Sequence, residues 1–278
     1  MLRTAHASLS RFLLAPLLAT FMLLVLTPFN GVEAHSTPQQ EFSFSFGKHY
    51  LALGDSLAFG FQPDGDFIDG YADYFARAHA VTRQGIMSYA NEGCPGETTS
   101  TLINGECPHP EMRKYPYQGS QLAAALDYIN NWGPVSVVTL SIGANDLLPK
   151  INPATCMIDE AGFTASLKTL DTNLTTVILP QLSRALKKSH GKLLVTNAYN
   201  PFQNICPQSN AYIKVFNEHL SHDVRGYGKL VDVYSAFGGV RTPNSHLCNL
   251  TWMCASSPDI HPNDKGYKLI ADLLAKEY

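Results

Sequence analysis

The sequence predicts a three-layer α/β/α fold, a single domain with a central parallel sheet between helices. Short apolar runs alternate with longer amphipathic stretches over most of the chain. Alternation of this kind implies parallel strands, because a parallel pair needs a long crossover connection and a helix supplies it. The turns after the apolar runs carry Gly, Ser, Asn and Asp, and in such a sheet reactive groups gather where the carboxyl ends of strands meet loops.

Taken in order, Tyr50 to Leu53, Ser88 to Asn91, Val135 to Ile142, Leu193 to Ala198 and Leu230 to Tyr234 read as strands. Helical patterns fill the gaps, most clearly at Gln118 to Asn131, Ala161 to Ser189, Asn210 to Val224 and Asn263 to Lys276. The stretch from Cys94 to Tyr117, rich in Gly, Pro and Thr, is expected to form a loop flanking the site. The sequence contains no internal repeat and no sign of a second domain.

A chain of 278 residues, 45% hydrophobic and 15% charged, suits a domain with a sizeable core. Its formal net charge of -3, without any Lys/Arg run, supplies no field to gather nucleic acid, which is therefore not expected as a partner. The sequence implies no stable protein partner and says nothing of oligomeric state.

At the start, Arg3 and Arg11 precede an apolar stretch from Phe12 to Phe29, followed by Val32-Glu33-Ala34. This reads as a signal peptide over residues 1–34 with cleavage after Ala34, then a polar linker over 35–47 and the folded domain over 48–278. An uncleaved membrane anchor is the competing reading, but Pro16 and Pro28 interrupt the apolar run. All six cysteines lie beyond the cleavage site, so a secreted protein with disulfides is expected. Pairing neighbours along the chain joins Cys94 to Cys107, Cys156 to Cys206 and Cys248 to Cys254. Irregular spacing without a CxxC argues against zinc. Asn173 and Asn249 each begin an N-glycosylation sequon, which matters only in an organism that glycosylates.

Four short segments carry chemistry. Leu53-Gly54-Asp55-Ser56-Leu57 puts a serine on a strand-to-helix turn where its hydroxyl can face solvent. Alone, that tripeptide is more often an ordinary turn with the serine as a helix cap. Asp259-Ile260-His261-Pro262-Asn263 sets a histidine on a loop entering the last helix. A hydroxyl is a poor nucleophile until a neighbouring base takes its proton, and His261 can supply that base. Most of the remaining histidines, His219 and His222 included despite their helical spacing, are expected to be structural. Gly96, after the second strand, and Asn145, after the third, fit the need for N–H donors where acyl transfer develops negative charge. Singly, each reads more readily as a turn residue.

In this order and after successive strands, the set resembles the SGNH hydrolase family, which takes its name from these four residue types. The match covers nearly all of residues 49–278: Gly54-Asp55-Ser56-Leu57, the segment around Gly96, Gly143-Ala144-Asn145-Asp146, and Asp259 to Pro262. The resemblance implies a flavodoxin-like fold and ester hydrolysis through an acyl-enzyme. It assigns Ser56 as nucleophile, His261 as general base, and the Ser56 N–H, Gly96 N–H and Asn145 amide as the oxyanion hole. The family usually sets its aspartate three residues before the histidine, where this chain has Pro258. Either Asp259, two residues before, or a backbone carbonyl such as that of Pro258 orients the imidazole.

The competing functional classes are a non-catalytic glycan- or lipid-binding module and a metal-dependent phosphoesterase. Retention of all four site residues argues against the first, and the lack of a recognisable ligand spacing against the second. The ester mechanism requires no cofactor and no metal. Esterase and lipase are not separable from sequence; Phe59, Phe61 and Trp252 are candidates for an acyl pocket, with core or rim packing equally open.

Overall fold

The computed structural model describes residues 47–278. The expected signal peptide, its expected cleavage after Ala34 and all but the last residue of the expected linker lie outside the described residues. Five strands, β1 (Lys48–Gly54), β2 (Ile86–Asn91), β3 (Val135–Ser141), β4 (Lys192–Thr196) and β5 (Lys229–Val231), form one sheet in the order β2-β1-β3-β4-β5. Every pairing is parallel. All seven residues of β3 are buried, as suits a strand covered on both faces, whereas the edge strand β2 alternates less cleanly.

Between β1 and β2 run α1 (Ser56–Phe59), α2 (Tyr71–Arg77) and α3 (His79–Thr82); α4 (Thr99–Asn104) and α5 (Gln121–Asn131) lead to β3. The β3–β4 crossover holds α6 (Ala144–Leu147), α7 (Glu160–Asn173) and α8 (Leu179–Leu186). Helix α9 (Ser209–Val224) joins β4 to β5, and α10 (Val233–Ala236), α11 (Ser245–Leu250) and α12 (Asp264–Glu277) complete the chain.

Period-two alternation along the strands divides the core. Leu51, Leu53, Val138, Leu140, Leu193 and Val195 face one layer, where Leu122, Leu167, Leu170, Leu182 and Phe216 of α5, α7, α8 and α9 cover them. Tyr50, Ala52, Val137 and Leu194 face the other, against Tyr71 and Phe75 of α2 and Tyr267, Ile270 and Leu274 of α12. The predicted three layers are thus present. Among the described residues no helix is long and apolar enough to cross a membrane.

Several expected boundaries move for identifiable reasons. The Gln118 helix starts at Gln121, because Ser120 caps it by accepting from the Ala123 N–H at 3.1 Å. The last strand stops at Val231, where the Asp232 carboxylate accepts from Ser235 N–H at 3.0 Å and opens α10. The long Ala161 to Ser189 helix is interrupted by a π turn over Leu174–Ile178, just before Pro180. Proline has no N–H and its ring crowds the carbonyl four residues back, so the wider turn accommodates it. The expected Cys94–Tyr117 loop contains α4, capped by Thr98 and closed by Gly105.

Two of the three expected cystines are formed, Cys94–Cys107 and Cys248–Cys254. The third is corrected: Cys156 and Cys206 are free thiols. The Cys156 thiol turns to the Ile205 carbonyl at 3.2 Å, while Cys206 packs with Ile151, Phe202 and Ile213. Burial and the neighbouring thiol push Cys206 up to about 11, so it stays protonated. The sequon asparagines differ: Asn249 is exposed, whereas the Asn173 amide donates to Thr99 and Ser100 hydroxyls at 3.0 and 3.1 Å.

Candidate active site

Strand β1 leads first to β2 at the sheet edge and then across to β3 on its other side. The crossovers diverge between β1 and β3, leaving a crevice at their carboxyl ends. Gly54 closes β1 there with φ +126°, and a Cβ on it would stand 1.8 Å from the Ser141 carbonyl oxygen. Only glycine lets the strands approach so closely while the chain turns. Asp55 donates its N–H to that carbonyl at 3.0 Å and caps α1 by accepting from Leu57 N–H at 2.9 Å. Ser56 follows as the first residue of α1, whose last turn closes on Gly60 at φ +86°.

The Asp55 side chain is buried, which raises its carboxyl from 3.8 to about 7. Over that interval the folded protein keeps a proton that the unfolded chain has released, so stability falls as pH rises from about 4 to about 7. Asp55→Asn, which keeps the oxygen acceptor for Leu57, is expected to flatten that decline, an effect of a few kcal/mol across the interval. Urea unfolding at a series of pH values checks this; an unchanged slope in the variant would sink the assignment.

His261 arrives from the opposite end of the chain. Its loop is clamped by Trp252, whose N–H donates to the His261 carbonyl at 3.0 Å and whose carbonyl accepts from Asp259 N–H at 3.2 Å. The Cys248–Cys254 bond closes the turn just before it, and Asn263 caps α12 just after. His261 Nε2 lies 2.8 Å from Ser56 Oγ, and Nδ1 lies 2.7 Å from Asp259 Oδ1. The same carboxylate oxygen accepts from the His261 backbone N–H at 2.8 Å. Of the two orienting groups open from sequence, it is the Asp259 carboxylate that contacts Nδ1. Burial pushes the Asp259 carboxyl up, but the side-chain and backbone bonds from His261 outweigh it and hold the group below its ordinary value. An ionised carboxylate only accepts, so Nδ1 carries a proton, and in the neutral imidazole that acts as base Nε2 presents its lone pair to the serine hydroxyl.

Gly96 occupies the third position of a Cys94-Pro95-Gly96-Glu97 turn, with φ +82° and the Glu97 N–H returning to the Cys94 carbonyl at 3.1 Å. Proline at the second position and glycine at positive φ in the third is the pattern of a type II turn, and the Cys94–Cys107 bond fixes it. Asn145 lies in α6, after Gly143 at φ +104°, and its Nδ2 donates to the Glu97 carbonyl at 3.0 Å. That bond uses one of two amide hydrogens. Neither the Ser56 N–H nor the Gly96 N–H donates to an acceptor among the described residues.

Sequence reasoning missed the groups that hold these segments together. Gln121 is buried at the start of α5; it accepts from Gly54 N–H at 2.6 Å and donates to the Gly54 carbonyl at 3.0 Å and to the Glu97 carboxylate at 3.2 Å. Asp146 accepts from the Thr99 N–H and, at 2.6 Å, from its hydroxyl, tying α6 to α4. Gln121 lies inside an amphipathic helix pattern and Asp146 beside Asn145 in the segment after β3, and neither carries a local signal of a partner many residues away. Of the aromatic candidates, Phe59 is core, Phe61 packs its ring 4.6 Å from that of His261, and the Trp252 indole donates to Gln62 at 3.2 Å. His219 and His222 bond Asp171 and Asp223 instead of joining the site. Cys94, Glu97 and Cys107 lie close enough to suggest a metal site, but the sulfurs are joined as cystine.

The sequence matches the model of the GDSL-like lipase/acylhydrolase family over residues 52–269. The chain belongs to this family. Among solved structures, a lipase from a goat rumen metagenome superposes on this GDSL-family chain with a TM-score of 0.59 at 21% identity, covering 82% of this chain and 96% of the other. An acetylxylan esterase from Geobacillus stearothermophilus gives 0.51 at 18% identity, over 83% and 94%. At such identities the likeness is one of fold. No curated protein matches the sequence.

Proposed function

We propose that this GDSL-family protein is a secreted serine hydrolase that cleaves carboxylic esters through an acyl-enzyme on Ser56. The observation that carries the reading is the contact chain from Ser56 Oγ to His261 Nε2 at 2.8 Å and from Nδ1 to Asp259 Oδ1 at 2.7 Å. In this mechanism Ser56 Oγ attacks the ester carbonyl carbon while its proton passes to His261 Nε2. The carbonyl oxygen becomes an oxyanion, which the Ser56 N–H, the Gly96 N–H and the Asn145 amide bind. His261 then protonates the departing alkoxide, leaving the acyl group on Ser56. A water, deprotonated by the same imidazole, hydrolyses that ester and restores the serine. The family and its lipase and esterase relatives in fold support the reaction class.

Export, with cleavage after Ala34, is supported by the pattern of residues 1–34 and by the two cystines, which persist in oxidising compartments. A cavity beside Asn145 is lined by Thr98, Ser100, Lys150, Ser166 and Thr169, which suits a hydrogen-bonding group of the substrate. A fluorophosphonate probe is expected to label the mature protein in a one-to-one ratio at Ser56 and to abolish hydrolysis of p-nitrophenyl esters. Mass spectrometry of the labelled peptide checks it. An unlabelled protein inactive on both short and long acyl chains would instead point to the binding-module reading.

A further inference from the structure

A second concave region lies between the 115–118 segment and α5. Tyr115, Tyr117, Tyr128 and Trp132 form its aromatic walls, and Glu92 and Asp127 bring acidic groups to it, with no basic residue in the lining. Tyr115 meets Tyr128 edge-on at 88° and 5.8 Å, while Trp132 lies nearly parallel to Tyr128 at 13° and 6.3 Å. The Tyr115 ring thus stands steeply to the nearly parallel rings of Tyr128 and Trp132. Glu92 is only 1% exposed, its side chain makes no hydrogen bond with the described residues, and its Oε2 is buried without a partner. A buried carboxyl left this way costs stability unless something else meets it. The ester mechanism does not use it.

We propose that this groove is a binding site for a small organic cation of the alkylammonium class, held against the tyrosine and tryptophan rings with Glu92 as its counter-ion. Ring faces attract a cation through their quadrupole, and a quaternary ammonium, with no N–H to satisfy, suits such a cage. The same chemistry already operates next door, where the Arg113 guanidinium stands 3.9 Å over the Tyr117 ring and donates to the Tyr117 carbonyl at 2.9 Å. Arg113 lies outside the lining but covers one face of the Tyr117 ring, so a bound cation is left to the Tyr115, Tyr128 and Trp132 rings.

Binding is coupled to a proton. Burial, reinforced by Asp127 and opposed by Arg113, raises the Glu92 carboxyl to about 8; Tyr117 and Tyr128 also face it and stay neutral in this range. A bound cation favours the carboxylate, so Glu92 loses one proton to solvent as the cation enters, and affinity rises from about pH 6 to about pH 8. This site is independent of the ester-hydrolase reading.

The test titrates choline chloride into the full-length mature protein by calorimetry, alongside 3,3-dimethylbutan-1-ol, which has the same shape without the charge. Choline is expected to bind at one saturable site, with the neutral alcohol at least about tenfold weaker. Glu92→Gln is expected to weaken choline by about tenfold and to remove the pH dependence. Trp132→Ala, at a residue 58% exposed and so harmless to folding, is expected to weaken it as well. Phosphatidylcholine vesicles that recruit the protein, with choline as competitor, would mark a lipid headgroup as the source of the cation; binding of free choline alone would mark a soluble one. No saturable choline binding, equal affinity for the neutral alcohol, or a Trp132→Ala variant that binds as the parent does would overturn the proposal.

Discussion

Ser56→Ala is expected to lower kcat for p-nitrophenyl esters by about ten-thousand- to million-fold, with the thermal unfolding midpoint close to that of the parent. The size follows from what is lost. Without Oγ no acyl-enzyme forms, and the residual rate is that of water attacking an ester held near the oxyanion donors. Fold retention follows from the surroundings of the side chain, since Oγ contacts His261 Nε2 while α1 is capped by the Asp55 carboxylate and closed by Gly60. Removing one hydroxyl leaves those contacts in place. Comparing kcat in parent and variant, with near-UV circular dichroism to report packing, checks the expectation. Full activity in a folded Ser56→Ala protein would remove the nucleophile assignment and the acyl-enzyme with it.

What the sequence made legible divides along physical lines. The central strands were readable because strands buried on both faces must be apolar throughout, and Val135 to Ile142 or Leu193 to Ala198 can satisfy little else. Ser56, Gly96, Asn145 and His261 stood out as candidates because, taken as a set, they follow successive strands or precede the last helix, whereas each alone reads as a turn or structural residue. The groups that set their mutual geometry did not stand out. Gln121 acts on Gly54 across 67 positions, and Asn145 on Glu97 across 48, and no local pattern encodes a hydrogen bond over such a separation. Cysteine pairing by order along the chain held for two pairs and missed the third for a related reason. Order along the chain selects Cys156 and Cys206 as readily as Cys94 and Cys107, whereas a bond depends on how two loops aim their sulfurs. Glu92 was silent as well, since a glutamate after a strand gives no sign of being enclosed.

The histidine's partner, which sequence leaves open, sets the second large effect, because it is the Asp259 carboxylate that contacts Nδ1. Asp259→Asn is expected to lower kcat by about a thousand- to ten-thousand-fold with KM little changed, because the residue acts through His261 without touching substrate. Asp259 Oδ1 accepts from both the His261 backbone N–H and Nδ1, so with only one residue between them the carboxylate fixes the loop and the ring together. An amide oxygen can replace one function, the bond from the backbone N–H. It brings no negative charge to stabilise the imidazolium formed as Ser56 gives up its proton, and a flipped amide would donate to Nδ1 and stabilise the tautomer that points an N–H at the serine. The loss should therefore ease at alkaline pH, where hydroxide can take the serine proton directly, while a purely structural role would leave the pH profile of kcat unchanged. A pH–rate series for parent and Asp259→Asn separates the two. Near-parental kcat in the variant would return the orienting role to a backbone carbonyl such as that of Pro258.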